Sequence, residues 1–461
     1  MEKKNVIKLV AFAIVTVLSV ALGLIEPFPG LEKTGMIFLG IFIWWVMMMI
    51  VELIPNALSC VLALVLSVAF GCGTTAEAFG SFAGATVWLL IGAFGLATAL
   101  GNSGLLNRLA INVMRLFPGT YAGQVWGLSL ASVVCAPAVP STTAKSTILI
   151  PLACMVGEKM GYAPKSKGMT GLFSVTNIIT NFGGCMFLTG GVVVGIILAL
   201  TPDPVSWLDW LKIFGLWGVI VVVLAALFSL FFYKPAPGEG KKLDKAEVKA
   251  MADNLGPMSK KEIAALVILI VAVAAWMTES MHGVPTYAVA LLAWIVMSAC
   301  GLFSPADFMS KIMWPIVIMV GGTLGLIGLL GTTGVGAWIS SLVAPAVLIF
   351  ANTPVVLLLI ICVVTTLLMF GLVQGPVSAA VFVTLLAAAP VSPLIIAFVT
   401  SMAAMVYVLP FQLPTVMAAE GIAEGKVDHK DVMPSVWAYI LINMIAVAAS
   451  VPWWTALGLI G

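Results

Sequence analysis

The feature that most constrains this chain is a polar, proline-rich run within its most apolar part. Residues 137–151 read PAVPSTTAKSTILIP, with three prolines, five hydroxyl residues and one lysine, Lys145. In water this run would be an ordinary loop. In a bilayer, irregular backbone must be buried in protein or line a wet cavity. A lysine there is costly and predicts a functional site.

The composition predicts an all-α polytopic membrane protein. The chain has 461 residues, of which 62% are hydrophobic and 9% charged, and its mean hydropathy is +1.18, whereas soluble proteins carry roughly 25% charged residues. Its apolar runs are too long and unbroken for the alternating strands of a barrel. The seven scattered cysteines and two histidines form no metal or nucleophile–base pattern. We therefore expect no enzyme activity, no metal and no cofactor, and no nucleic-acid partner.

Apolar runs of membrane-spanning length predict about eleven transmembrane helices. They cover 7–26, 33–53, 55–71, 84–115, 168–201, 206–233, 260–281, 285–303, 309–344, 393–424 and 432–460. Two further apolar stretches, 121–161 and 354–391, are interrupted near their middles by proline, glycine and polar residues. Each forms either two spans or one re-entrant hairpin. Prolines at mid-depth favour hairpins, because a proline in a helix removes a backbone hydrogen bond.

The distribution of basic residues predicts the orientation. With a cytoplasmic N-terminus, all of the 21 basic residues except Lys33, Lys212 and the intramembrane Lys145 fall on the cytoplasmic side. Counting each hairpin as two spans leaves this sidedness unchanged. The charged segment 234–261 then forms a cytoplasmic linker. We expect a multi-pass protein of a bacterial inner membrane, with the lipid bilayer as a partner.

An internal repeat underlies this layout. Residues 92–104 read GAFGLATALGNSG and residues 322–334 read GTLGLIGLLGTTG, so the four glycines of the first copy recur in register. Each copy precedes an interrupted hairpin and then a helix with its own interruption, at 182–191 in the first half and 409–415 in the second. An odd number of spans separates the copies, which predicts an inverted-topology repeat of the kind found in secondary transporters. Alternatively, the glycines only allow close helix packing.

The repeat divides the chain into five regions. They are scaffold helices in 1–83, a first repeat in 84–233, the linker 234–261, scaffold helices in 262–308 and a second repeat in 309–461.

The two hairpin tips are predicted to form an anion-binding clamp near mid-membrane. Each second hairpin helix begins at its tip, and helix N-termini bind anions. The predicted substrate-binding residues are Ser141, Thr142, Thr143, Lys145, Thr189, Gly190, Gln374, Gly375, Ser378, Pro414 and Thr415. Two alternatives stay open: the hydroxyls bond back to their own helices, or Lys145 pairs with Glu420 as a structural bridge.

In the order of these motifs along its sequence, the chain resembles the divalent anion/sodium symporter family of di- and tricarboxylate transporters. The run PSTTAK at 140–145 stands where the family carries a Ser-Asn-Thr motif. Residues 255–262 and 276–279 resemble the family's linker and seventh helix, and 409–415 its tenth-helix break. The resemblance implies alternating access, in which a scaffold holds a transport unit, and a homodimer formed through the scaffold.

Departures from the family pattern bear on ion coupling. Neither tip carries the motif's asparagine, and the second tip, Gln374-Gly375-Pro376, lacks the motif altogether. In sodium-coupled members these tips and breaks hold sodium, whereas the exchangers tend to carry a basic residue where Lys145 stands. The resemblance therefore implies sodium-independent exchange of small dicarboxylate-like anions.

The runner-up hypothesis is a sodium- or proton-coupled di- or tricarboxylate symporter. In that case Na⁺ would be a coupling ion. Its ligands would come from Ser141, Gly183, Thr189 and Leu409.

Overall fold

The structure is a computed structural model, and it describes most of the chain. The described residues are 3–51, 53–139, 141–201, 205–244, 247, 253, 255–350, 352–370, 375–408 and 413–461. Their regular structure is helical throughout, apart from one isolated β-bridge between Val391 and Ile460. This confirms the predicted all-α class.

The helices of the described residues are numbered here in chain order. They are α1 (Lys3–Leu24), α2 (Lys33–Val51), α3 (Asn56–Ala69), α4 (Thr75–Phe79), α5 (Ala85–Ser103), α6 (Leu105–Met114), α7 (Tyr121–Cys135), α8 (Thr142–Lys159), α9 (Lys167–Asn181), α10 (Val192–Ala199), α11 (Trp207–Phe232), α12 (Lys260–Met277), α13 (Glu279–His282), α14 (Thr286–Ala299), α15 (Pro305–Ser310), α16 (Trp314–Thr332), α17 (Val335–Leu348), α18 (Pro354–Phe370), α19 (Gly375–Leu385), α20 (Pro393–Ala404), α21 (Pro414–Ile422) and α22 (His429–Ala456). Short 3₁₀ turns lie at Gly80–Ala83 and Gly183–Met186.

Several of these helices have the length and apolarity needed to cross a bilayer. Among the described residues, five segments meet that standard: α2, Thr75–Ser103, α11, α16 and α22. Shorter apolar helices, including α7, α18 and α20, accompany them. The prediction of a multi-pass membrane protein agrees with these segments.

Two predicted spans are each divided in the structure. The predicted span 84–115 forms α5 and α6, and 309–344 contains α16 and α17. Gly104 and Gly334 lie at the two divisions with left-handed φ angles of +83° and +74°. A helix cannot continue through that conformation, which glycine adopts without strain. A single continuous span was therefore the wrong prediction at both places.

The two copies of the glycine pattern have matching local structures. Gly95 packs against the ring of Trp294, and Gly325, its equivalent, packs against the backbone of Ala78, so neither has room for a side chain. The last glycine of each copy ends its helix. Close packing, the alternative raised for this pattern, thus accounts for the early glycines of each copy but not for the last.

The succession of helices after each glycine pattern is the same. We call α7 with α8 the first hairpin and α9 with α10 the first broken helix; α18 with α19 is the second hairpin and α20 with α21 the second broken helix. Within each half, both hairpin arms pack on the first part of the broken helix. Between halves, α10 packs on α19 and α20, while α21 packs on α8 and α9. Each broken helix therefore ends against the hairpin of the other half.

The linker is fixed to α6 and α12 through one arginine. Arg108 Nε donates to Glu262 Oε1 at 2.7 Å, and its other guanidinium nitrogens donate to the carbonyls of Leu255, Gly256 and Pro257. Both side chains of the ion pair are nearly buried, with exposures of 12% and 11%. This pair connects the short helix that precedes the first hairpin to α12.

Polar contacts join the segments that were predicted to be cytoplasmic, at one end of the bundle. The backbone N–H of Lys241 donates to Met160, and Lys165 Nζ contacts Asp428 at 2.8 Å. At the other end, the indole N–H groups of Trp453 and Trp454 donate to carbonyls at the start of α11. Each contact joins segments that the charge pattern assigned to the same side.

We expect Arg108→Ala to destabilise the protein by about 2–4 kcal/mol, because it leaves the Glu262 carboxylate and several carbonyls without their donor. The melting temperature of the detergent-solubilised protein measures this. Arg115→Ala is the matched control, since Arg115 is exposed and makes no ion pair with a described residue. Equal melting temperatures for the two variants would contradict the role of Arg108.

Candidate functional site

The first hairpin tip lies between the end of α7 at Cys135 and the start of α8 at Thr142. Ser141 is the N-cap of α8, and its Oγ accepts from the backbone N–H of Ala144 at 3.2 Å. This confirms the predicted start of the second hairpin helix. The cap uses the acceptor capacity of the Ser141 hydroxyl.

The first broken helix opens where the sequence predicted. α9 ends at Asn181, a 3₁₀ turn covers Gly183–Met186, and α10 begins at Val192. Within this break the backbones of Gly184 and Gly190 touch, so that a Cβ on Gly190 would overlap the Gly184 carbonyl. The carbonyl of Gly190, at this close approach, meets a side chain of the tip.

Lys145 joins the tip to the break. Its side chain is 1% exposed, and Nζ donates to the Gly190 carbonyl at 2.6 Å. Among the described residues it has no carboxylate within ion-pair distance. Glu420 contacts His429 at 2.9 Å instead, so the alternative of a Lys145–Glu420 bridge was wrong. The structure thus buries an ammonium group with a neutral partner.

The position of Lys145 in its helix raises the free-energy cost of this buried charge. Lys145 is the fourth residue of α8, and a helix N-terminus carries a partial positive charge of its own. A buried charge without a counter-ion is strongly unfavourable. The tip therefore combines two positive features, and both favour an anion.

Thr189 forms the second link between tip and break. Its Oγ1 donates to the carbonyl of Pro137 at 2.7 Å and accepts from the indole N–H of Trp207 at 3.3 Å. The Trp207 ring stacks on Phe187 and on Trp276 of α12. Sequence reasoning missed Trp207, because an aromatic residue at the start of a span is typical of a membrane interface.

The remaining residues predicted for the first half have different surroundings. Thr142 is buried, and its methyl group lies beside Gly191. Thr143 is exposed. Gly183 begins the 3₁₀ turn of the break. The structure thus brings Lys145, Thr189 and Gly190 together and places Thr142 next to them.

In the second half, α19 begins at Gly375, within the stretch predicted for its start. Gly375 lies beside Ala404 at the end of α20, and Ser378 is buried. Pro414 begins α21. The next residue, Thr415, has a buried hydroxyl without a hydrogen-bond partner among the described residues.

Two predicted site residues of the second half, Gln374 and Leu409, lie outside the described residues. The two halves of the site approach each other through helix packing. α10 leads from the first break to the second hairpin. α21 leads from the second break to the first hairpin.

Comparison with known proteins gives one family over nearly the whole chain. Residues 3–460 match the family model described as "Sodium:sulfate symporter transmembrane region". The inner membrane protein YbhI of Escherichia coli strain K12 is 27% identical over 358 residues, which cover 74% of this chain and 73% of that protein. The putative malate transporter YflS of Bacillus subtilis strain 168 is 21% identical, over 74% of this chain and 73% of that protein.

A plant relative and two solved structures are also similar. The chloroplastic dicarboxylate transporter 1 of Arabidopsis thaliana is 25% identical over 70% of this chain, and the match spans 61% of its length, less than two thirds. The YdaH transporter of Alcanivorax borkumensis superposes with a TM-score of 0.59 at 16% identity, over 99% of this chain and 98% of that one. MtrF of Neisseria gonorrhoeae gives 0.60 at 14% identity, over 94% and 96%. These structures support the fold alone.

We expect Gly190→Ala to prevent normal folding, because the added methyl group would overlap the Gly184 carbonyl and force the break apart. Size-exclusion chromatography in detergent measures the folded yield, which should fall by about tenfold or more, as expected where a backbone must move to relieve overpacking. Gly101→Ala is the control, since a Cβ there meets nothing within 4 Å. A normal yield of Gly190→Ala would contradict this description of the break.

Proposed function

Because the chain belongs to the divalent anion/sodium symporter family, whose model it matches from residue 3 to residue 460, we propose that it exchanges one small dicarboxylate-like anion for another without sodium. Membership assigns the chain to membrane transporters rather than enzymes. The observation that carries the proposal is the buried Lys145 ammonium, which has a carbonyl but no described carboxylate as its partner. A bound dianion would supply the missing negative charge.

The substrate class rests on the site and on the relatives. An ammonium group beside a helix N-terminus suits a carboxylate, which accepts several hydrogen bonds at once. Ser141 and Thr142 lie at the start of α8, which carries this charge, and Thr415 lies at the start of α21, which packs on α8. Relatives named as dicarboxylate and malate transporters support small dicarboxylates as the substrates.

Sodium independence rests on the Gly190 carbonyl. Sodium ions bind oxygen ligands, and the sodium ligands expected in the first half, Ser141, Gly183 and Thr189, lie on the same tip and break as this carbonyl. Lys145 Nζ already donates to Gly190 O at 2.6 Å, and a fixed positive charge at that place repels a second cation. The ammonium therefore takes over the role that a bound sodium would have in balancing a dianion.

We further propose that both hairpins are re-entrant and that the repeat is inverted, with about eleven spans. The matching order of helices and the exchange of broken-helix halves support this arrangement. The end of the bundle that holds the linker and Lys165–Asp428 would be cytoplasmic, because the basic residues collect there. The protein would work by alternating access, as a homodimer whose subunits are joined through their scaffold helices.

Transport by the purified protein in proteoliposomes tests exchange directly. We expect labelled dicarboxylate to enter only vesicles preloaded with an unlabelled dicarboxylate, at a rate that is the same in sodium and in potassium buffer. Sodium-driven uptake into empty vesicles would contradict the proposal and favour the symporter. Melting temperatures measured against a panel of anions would identify which one the site prefers.

Removing the charge tests the role of Lys145. We expect Lys145→Ala to lower exchange by about a hundredfold or more, as when a charged group loses its buried partner, or to make transport depend on an added cation. Lys212→Ala is the control, since Lys212 is exposed and pairs only with Asp209 among the described residues. Unchanged exchange by Lys145→Ala would remove Lys145 from the mechanism.

A further inference from the structure

His429 makes two contacts that a neutral imidazole cannot make together. Its Nδ1 lies 2.9 Å from Glu420 Oε1, and its Nε2 lies 3.1 Å from the carbonyl oxygen of Val408. Carboxylate and carbonyl oxygens are both acceptors. A neutral imidazole carries one N–H, and a charged imidazolium carries two. The geometry therefore requires a proton in addition to those of a neutral ring and an ionised carboxylate.

The other histidine of the chain, His282, has no such requirement. Its Nε2 lies 2.8 Å from the carbonyl oxygen of Ala275, and its Nδ1 accepts from the backbone N–H of Val284 at 3.0 Å. One acceptor and one donor match the two nitrogens of a neutral ring. The two histidines thus differ in what their surroundings demand, although both lie at helix ends.

The contacts of His429 connect the two sides of the second break. Val408 precedes the break, Glu420 lies on α21 after it, and His429 begins α22. The imidazolium therefore ties the chain before the break to the helix that packs on the first hairpin. With exposures of 17% for His429 and 16% for Glu420, the pair is half-buried and within reach of water.

The neighbouring charges are mostly paired with one another. Lys426 contacts Glu158 at the end of α8, and Lys165 contacts Asp428. Other charges near the ring on its own or adjoining segments are the exposed Glu424 and Lys430 and the half-buried Asp431, whose carbonyl accepts from Tyr233 of the segment after α11. Glu420 remains the carboxylate in direct contact with the ring.

We propose that the His429–Glu420 pair is a proton-binding site that ties α21 and α22 to the chain at Val408, and that anion exchange requires this proton. The inference rests on the proposed transport function. Loss of the proton to water leaves a neutral ring with one N–H, so His429 loses its contact with either Glu420 or Val408. Both contacts therefore exist only while the extra proton is bound, and one of them is lost as rising pH removes that proton.

The experiment is homoexchange in proteoliposomes with the same pH on both sides, from about pH 6 to about pH 9. We expect the wild-type rate to fall by about tenfold over this range, a change of about 1.4 kcal/mol in the barrier. His429→Gln should have the low rate throughout. His282→Gln is the matched control and should retain the wild-type pH profile.

Glu420→Gln separates the proton from a merely structural contact. A glutamine NH₂ can donate to an unprotonated Nδ1 while Nε2–H still donates to Val408, so a neutral ring satisfies both contacts. We expect this variant to keep its exchange rate at alkaline pH. A wild-type rate independent of pH, or a pH-dependent fall that persists in both Glu420→Gln and His429→Gln, would overturn the proposal.

Melting temperatures of the detergent-solubilised protein test the proton without transport. A proton that is bound more tightly in the folded than in the unfolded state stabilises the folded state, and this stabilisation is lost as the pH rises and the folded protein releases the proton. The wild-type melting temperature should therefore fall with rising pH more steeply than that of Glu420→Gln. If exchange is absent at every pH but this difference is found, the proposed function fails and the proton site stands; equal slopes would overturn the proton site itself.

Discussion

The structure depends on the burial of one ammonium group beside the start of a helix. Lys145 is 1% exposed, and it meets the Gly190 carbonyl rather than a carboxylate. Gly190 lies in the break of the first broken helix, where its backbone is so close to Gly184 that neither a side chain nor a continuous helix fits there. The hairpin, the break and the glycine contact are therefore parts of one arrangement that holds a positive charge inside the protein.

Much of this arrangement could be predicted from the sequence, because its elements have local signals. Ser141 as an N-cap, the glycine-rich break after Asn181 and the hairpin helix beginning at Gly375 were all predicted close to where they lie. The family was also predicted correctly from the order of these motifs. The spans over 84–115 and 309–344 were predicted as continuous, because glycine is common in membrane helices and its left-handed conformation has no separate signal in the sequence.

The contacts that hold the site together could not be predicted in the same way. Thr189 and Lys145 both donate to backbone carbonyls, those of Pro137 and Gly190, and a carbonyl acceptor is the same at every residue. The contact of Trp207 with Thr189 could not be recognised, because aromatic residues are common at the ends of membrane spans. The sequence allows Glu420 as an ion-pair partner of Lys145, because opposite charges attract strongly in an apolar environment. The fold gives it His429 instead, nine residues further along the chain and across a turn.

Under the proposed function, the buried charge would favour exchange over one-way movement. A symporter returns without substrate after its coupling ion has left, so its empty site can be neutral. Lys145 cannot leave, and in the empty carrier its charge lacks a described carboxylate. If the uncompensated charge costs about 4 kcal/mol during the return step, that step is slowed about a thousandfold, because each factor of ten corresponds to about 1.4 kcal/mol. In the proposed exchange, a second anion would remove this cost, and the loaded carrier would then move in either direction.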